Sequence, residues 1–272
     1  MSELADLLVR HDEEAPLDRA ALCVAAIEQP DVKADPFIEL LNSHARELAE
    51  RISPEMDGEE FVLRANEYLF EELGFCGNSE DYYDPRNSCL NEVLLRRTGI
   101  PITLSVIYLE IARRLKRPVY GVGLPGHFIV AYDDGEFATY IDPFHGGQLL
   151  DEEDCYELAA GATGQDFSNQ PAVLAPVNKR DILLRMLNNL RAIYLRRGEY
   201  AKAVAVLDWL VAGEPGNAEL YKMRGVCLSL LRRYQAAKPD LERYLELAPE
   251  AEDRGQIESH LEVLRRWLSM LQ

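Results

Sequence analysis

The sequence predicts an α+β domain followed by an all-helical repeat region, and three observations carry that prediction. Apolar residues recur at helical spacing through most of the first hundred positions, the pattern becomes strand-like after Pro118, and the last hundred positions contain an internal repeat. The chain has 272 residues, 47% apolar and 28% charged, which is the composition of a globular protein long enough for two domains.

The helical front begins with Phe37, Ile38, Leu41, Ala45, Leu48 and Ile52, where Asp35-Pro36 is read as the N-cap and first-turn proline. Phe61, Val62, Ala65, Leu69 and Leu73 form a second stripe, with Gly74 placed to end the helix. The polar, aromatic stretch from Gly77 to Ser88 is too long for a simple connector and is marked as a functional loop. Ile102 to Lys116 is apolar around most of its circumference, which predicts a helix at the centre of a core. Val119–Gly123 reads as a strand. Phe128–Tyr132 and Phe137–Ile141 flank Asp133-Asp134-Gly135-Glu136, a hairpin signal. The stretch from Gly161 to Pro176 reads as a linker.

Tyr200 recurs as Tyr234, Ala203 as Ala237, Leu207 as Leu241 and Pro215 as Pro249, each 34 positions on. That period is the one of tetratricopeptide repeats, which are pairs of antiparallel helices. Gly225 takes the small-residue position of the second repeat, where the first has Arg191, and Pro239 is expected to distort its helix. A stripe of Ile257, Leu261, Leu264, Leu268 and Leu271 would cap the stack. By repeat position, Arg185, Asn188, Arg196 and Lys222 lie on a peptide-binding face and favour an acidic ligand, either another protein or the chain's own first domain, on which the repeats are expected to dock.

The formal net charge is −18, with 13 basic and 34 acidic side chains over 1–175 against 16 and 13 over 176–272. The break predicts domains at 1–176 and 177–272. So acidic a chain is not expected to bind nucleic acid or anionic lipid. No apolar run reaches the roughly 18 residues of a membrane span. MSELADLLVRHDEEAP lacks the basic and apolar regions of a secretory signal, so a cytoplasmic location is expected. Cys23, Cys76, Cys89, Cys155 and Cys227 are odd in number and form no CxxC, which predicts free thiols rather than a disulfide scaffold or zinc ribbon.

Candidate chemistry concentrates between Asn87 and Gly147. His127 opens one hairpin strand and Asp142 ends the other, so the carboxylate is expected beside the imidazole, where it fixes the tautomer. The third member of a triad belongs at the N-terminus of the core helix, where the dipole and free amides lower a thiol's pKa and hold an oxyanion. Asn87-Ser88…Leu90-Asn91, GIPITLSVIYLEIARRL, GVGLPGHFIV, IDPFHGG and NNLRAIYLRRGEY occur in this order. This set resembles the SirB family of bacterial proteins, transglutaminase-like (cysteine-proteinase-like) domains joined to tetratricopeptide repeats. The resemblance implies a helix-plus-antiparallel-sheet core and, from the wider superfamily, a Cys-His-Asp triad whose His and Asp correspond to His127 and Asp142. The nucleophile position falls near Pro101, within Gly99–Ser105, where no cysteine stands.

Cys89, one short helix upstream, and the hydroxyls of Ser105 and Thr103 are the candidate replacements. His127, Asp142 and His145 are also metal-ligand types, but their spacing is loose and no second motif supports it, so no cofactor is assigned. Two functions follow. One is a non-catalytic or weakly active interaction module that binds a protein or peptide in a His–Asp pocket. The other is an amide hydrolase or acyl transferase in which Cys89 or Ser105 attacks, His127 moves the proton and Asp142 orients it.

Overall fold

The computed structural model describes residues 3–12, 14–53 and 55–270. The chain divides into two compact units, Met1–Met186 and Leu187–Gln272.

The first unit opens with α1 (Glu3–Val9), α2 (Leu17–Ala25), α3 (Ala34–Ala49) and α4 (Gly58–Asn66). Helix α3 (Ala34–Ala49) starts two residues earlier than an Asp35 N-cap predicts. Lys33 is its N-cap, and the Asp35 carboxylate accepts from Arg19 Nη2 at 2.9 Å instead of capping the helix. The second apolar stripe does not run on as one α-helix. It widens to a π-helical segment at Glu67–Glu72, after which Gly74 takes a φ of +72°. Such a segment keeps the side chains on one side, so the periodicity does not reveal it.

A two-residue parallel pair, β1 (Cys76–Gly77) with β2 (Thr98–Gly99), brackets the polar loop and α5 (Leu90–Arg96). Helix α6 (Pro101–Arg114) follows, with Pro101 in its first turn and nearly every side chain buried. Its N-terminus is closed by Thr103, whose Oγ1 accepts from Ile100 N at 3.2 Å and donates to Asn87 O at 2.7 Å. At the other end Arg114 sits in a buried ionic network, donating to Glu110 Oε2 at 2.6 Å and to Asp18 of α2.

Strands β3 (Val119–Val122), β4 (Ile129–Asp133), β5 (Ala138–Asp142), β6 (Gln148–Leu150) and β7 (Pro176–Val177) form one antiparallel sheet in the order β6-β5-β4-β3-β7. The hairpin lies where the sequence predicts it, with Val130 opposite Ile141 and Asp133 opposite Ala138. Successive strand residues face opposite sides. Ile129 and Ala131 pack with Leu150, Cys155 and Ala159 toward α7 (Glu152–Thr163). Tyr132 turns the other way and meets Phe61 of α4 at 5.7 Å between ring centroids. Helix α6 packs on β3 and β4. It is the central helix its apolar circumference predicts.

The expected linker from Gly161 to Pro176 is instead part of the domain. Helix α7 runs to Thr163, Phe167 and Leu174 are buried in the core on that side of the sheet, and β7 pairs with β3. Its apolar anchors are too widely spaced for periodicity to register them against the Gly, Asn and Pro residues around them.

Helix α8 (Lys179–Arg197) begins in the first unit. The second unit continues with α9 (Tyr200–Gly213), α10 (Ala218–Leu230), α11 (Tyr234–Leu247) and α12 (Arg254–Met270), each packed on the next. The repeat of 34 positions superposes α9 on α11, with Tyr200 and Tyr234 opening them and Leu207 and Leu241 fully buried. Gly225 is the close approach expected of it, since a Cβ there would lie 2.8 Å from Leu241. Arg224 of α10 bridges Asp208 of α9 at 2.9 Å and Asp240 of α11 at 2.7 Å. Pro239 lies inside α11 without ending it. Ile257, Leu261 and Leu264 are buried and Leu268 half-buried, whereas Leu271 lies outside the described residues.

Candidate functional site

The sequence-predicted histidine and aspartate meet. His127 follows the tight turn Leu124–Gly126 just before β4. Gly126 has a φ of +75°, and a Cβ there would lie 2.6 Å from Ala162, so glycine alone seats this turn against α7. Asp142 ends β5 and starts a 3-10 turn, Pro143–His145, with Pro143 at its first position. His127 Nε2 lies 2.9 Å from Asp142 Oδ2, His145 Nδ1 lies 2.7 Å from the same oxygen, and Phe144 N donates to Oδ1 at 2.9 Å. One carboxylate thus collects three donors. It is 1% exposed and His127 9%, while His145 is exposed.

A carboxylate has only acceptors, so the ring nitrogens facing it carry the protons. His127 is then the Nε2–H tautomer and presents its Nδ1 lone pair, which accepts no hydrogen bond from another described residue. Burial pushes the Asp142 carboxyl up, but the hydrogen bonds from His127 and His145, with the charge of these rings when they are protonated, outweigh that and hold it below the ordinary carboxylate range.

Aromatic rings shape the surroundings. The imidazoles of His127 and His145 stack at 5.8 Å with 21° between planes, and Phe144 meets each in a T-shaped pair. Tyr82 packs edge-on against Phe144 at 6.1 Å, which brings the polar loop to the site. Asn87 holds that loop: its Nδ2 donates to Asp81 O at 2.7 Å and its Oδ1 accepts from Asn78 and Arg96. Arg185 supplies the other buttress. Its Nη2 donates to Leu124 O at 2.8 Å and to His127 O, and its guanidinium lies 5.4 Å over the Phe128 ring. Burial pushes the Arg185 guanidinium down, and only Tyr82 acts against it.

Two of the candidate nucleophiles, Thr103 and Ser105, make no hydrogen bond to this cluster. Thr103 Oγ1 is committed to Ile100 and Asn87. Ser105 is fully buried in α6 and its Oγ has no hydrogen-bond partner. Cys89 is buried and its Sγ donates to Pro85 O at 3.4 Å. The only grouping of three or more His, Cys, Asp or Glu ligand atoms among the described residues is His127, Asp142 and His145, without a thiol. Cys155 lies in the core on the α7 side, its thiol pushed up to about 12 by burial and the acidic residues around it.

Of the residues assigned to a peptide face, Arg185 is placed elsewhere. Its Nη2 is committed to the His127 turn within the first unit. The helical repeat position of Arg185 gave no sign of this, because the partner carbonyls lie about sixty positions back in the sequence. Lys222 pairs with Glu219 at 2.8 Å and Asp253 at 3.0 Å and lies over Tyr244. Arg196 is exposed and Asn188 half-buried. The sequence reading also left His145 without a hydrogen-bonding role. The signal was available in Asp-Pro-x-His, since a proline directly after the aspartate opens a turn that returns the histidine to it.

A central helix facing an antiparallel sheet that carries a His–Asp pair, followed by helix pairs of period 34, defines a transglutaminase-like domain joined to tetratricopeptide repeats. Residues 36–188 match the transglutaminase-like superfamily and residues 190–262 match the tetratricopeptide repeat. The chain belongs to the transglutaminase-like superfamily and, within it, to the UPF0162 family. It is 36% identical to a UPF0162 protein of Xylella fastidiosa over 253 residues, covering 92% of this chain and 90% of the relative. A UPF0162 protein of Pseudomonas aeruginosa is 30% identical over 87% of this chain and 86% of its own length. Human F-box only protein 21 is 37% identical over 171 residues, covering 58% of this chain and 26% of that protein. No helix among the described residues is long and apolar enough to cross a membrane.

Proposed function

We propose that this chain is a SirB-family, cytoplasmic protein-interaction module, non-catalytic or only weakly active, whose His127–Asp142 pocket receives a peptide or amide group without cleaving it. The observation that carries this reading is the company His127 keeps. Nucleophilic catalysis needs a thiol or hydroxyl within hydrogen-bond reach of the base. Thr103 Oγ1 is committed to Ile100 and Asn87 and Ser105 Oγ has no hydrogen-bond partner, so neither hydroxyl bonds to the ring. An Nδ1 lone pair suits an incoming amide N–H, with the ring held still by Asp142. The repeat unit supports a protein partner, and Asn188, Arg196 and Lys222 are the positions we assign to its contact face.

Labelling tests the reading. Full-length protein is treated with iodoacetamide and, separately, with a fluorophosphonate probe, then mapped by mass spectrometry. The expected result is no stoichiometric label on Cys89, Ser105 or Thr103. Stoichiometric labelling of any of them that disappears in His127→Ala, with circular dichroism unchanged, replaces the binding module with an amide hydrolase or acyl transferase.

A further inference from the structure

We propose that His127, Asp142 and His145 form a two-histidine, one-carboxylate site for a divalent first-row metal ion. The three atoms come from separate side chains, and each nitrogen lies within 2.9 Å of the same oxygen. All three lie within 4.8 Å of one another. With metal–ligand bonds of about 2.1 Å, two donors 2.7–2.9 Å apart subtend roughly 80–90° at the ion. That is the angle between neighbouring positions of an octahedral site, whereas a tetrahedral ion spreads its donors to about 3.4 Å. These two nitrogen–oxygen separations favour manganese, iron(II) or cobalt(II) over zinc, and the two nitrogens, within 4.8 Å of each other, settle at about 3 Å apart around the ion. Three positions come from the protein, and the other three go to water or to oxygen atoms of a bound peptide.

The surroundings fit this use. The second oxygen of Asp142 is pinned by Phe144 N, which orients the first toward the imidazoles. The carboxylate and His127 are buried while His145 is exposed, so an ion enters from the His145 side. Without an ion, two ring protons occupy the gap. On binding, each ring holds its proton on the other nitrogen, Nδ1 of His127 and Nε2 of His145, and neither imidazole changes charge, so in the metal-bound form His127 Nδ1 donates to a peptide carbonyl instead of accepting an amide N–H.

The proposal stands on geometry and needs no partner protein, so its failure leaves the labelling result above unaffected. The test uses the untagged full chain, stripped with chelator and titrated calorimetrically with manganese, cobalt and zinc chlorides. One ion is expected per chain, with a weak octahedral cobalt spectrum. His145→Ala is expected to weaken binding more than about 100-fold, beyond the roughly 10–100-fold that outer-shell changes cost. His260→Ala, a histidine of the second unit, is expected to keep wild-type affinity. No binding by millimolar metal, equal affinity in His145→Ala and wild type, or an intense tetrahedral cobalt spectrum overturns it. Asp142→Asn, checked by circular dichroism, supplies a second loss of affinity should His145→Ala alter the turn.

Discussion

Replacing Asp142 by Ala is expected to cost about 3–5 kcal/mol in urea unfolding, the price of breaking a buried charged cluster by removing one partner. The residue is 1% exposed and accepts from His127, His145 and Phe144 N. Its loss strands two of those donors inside the protein, because only His145 is open to water. Asp142→Asn keeps one acceptor oxygen and is expected to cost less, roughly 1–3 kcal/mol. The pH dependence has a fixed sign. The folded-state carboxyl titrates below its unfolded value, so its contribution is complete above an unfolded pKa of about 3.9 and fades as the pH falls through the folded one. The stability gap between wild type and Asp142→Asn is therefore expected to narrow on going from pH 6 to pH 3. A gap that widens on acidification contradicts the assignment.

The second large effect is expected at Arg185. Its Nη2 joins two carbonyls of the turn that carries His127, and its plane covers Phe128. Hydrogen bonds from a charged donor contribute about 1.5–3 kcal/mol each. Leu124 O keeps a second donor, His127 N at 3.2 Å, so the loss in Arg185→Ala is less than two full bonds, roughly 2–4 kcal/mol. Arg185→Lys is expected to rescue only in part, because an ammonium can donate to both carbonyls as Nη2 does but has no planar group to lie over Phe128. Arg185 acts here as a positioning residue. Beyond lower stability, both variants are expected to perturb the His127 imidazole resonances, which a structural arginine remote from the ring would leave unmoved.

Much of this arrangement is legible in the sequence because it is local. The hairpin is announced by Asp133-Asp134-Gly135-Glu136 between alternating strands, and Asp134 Oδ1 closes the turn by accepting from Glu136 N and Phe137 N. The hairpin in turn fixes the encounter of His127 with Asp142, fifteen positions apart. Helix α6 declares its central place by having no polar face. The repeat unit follows from its period of 34 alone. What escaped the sequence depends on tertiary partners. Arg185 looks like a surface arginine on a repeat helix until the turn at Leu124 is placed beside it. Phe167 and Leu174 look like residues of a polar linker until α7 and the sheet give them a core. His145 gained its role from a 3-10 turn only three residues long.

The account rests on one carboxylate holding two imidazoles, and imidazole nitrogen NMR of the chelator-treated protein tests it most directly. The prediction is two slowly exchanging ring protons, on Nε2 of His127 and Nδ1 of His145, both lost in Asp142→Ala while the His44 ring signals persist. Rapidly exchanging, tautomerically averaged rings for His127 and His145, unchanged by removal of Asp142, would contradict it.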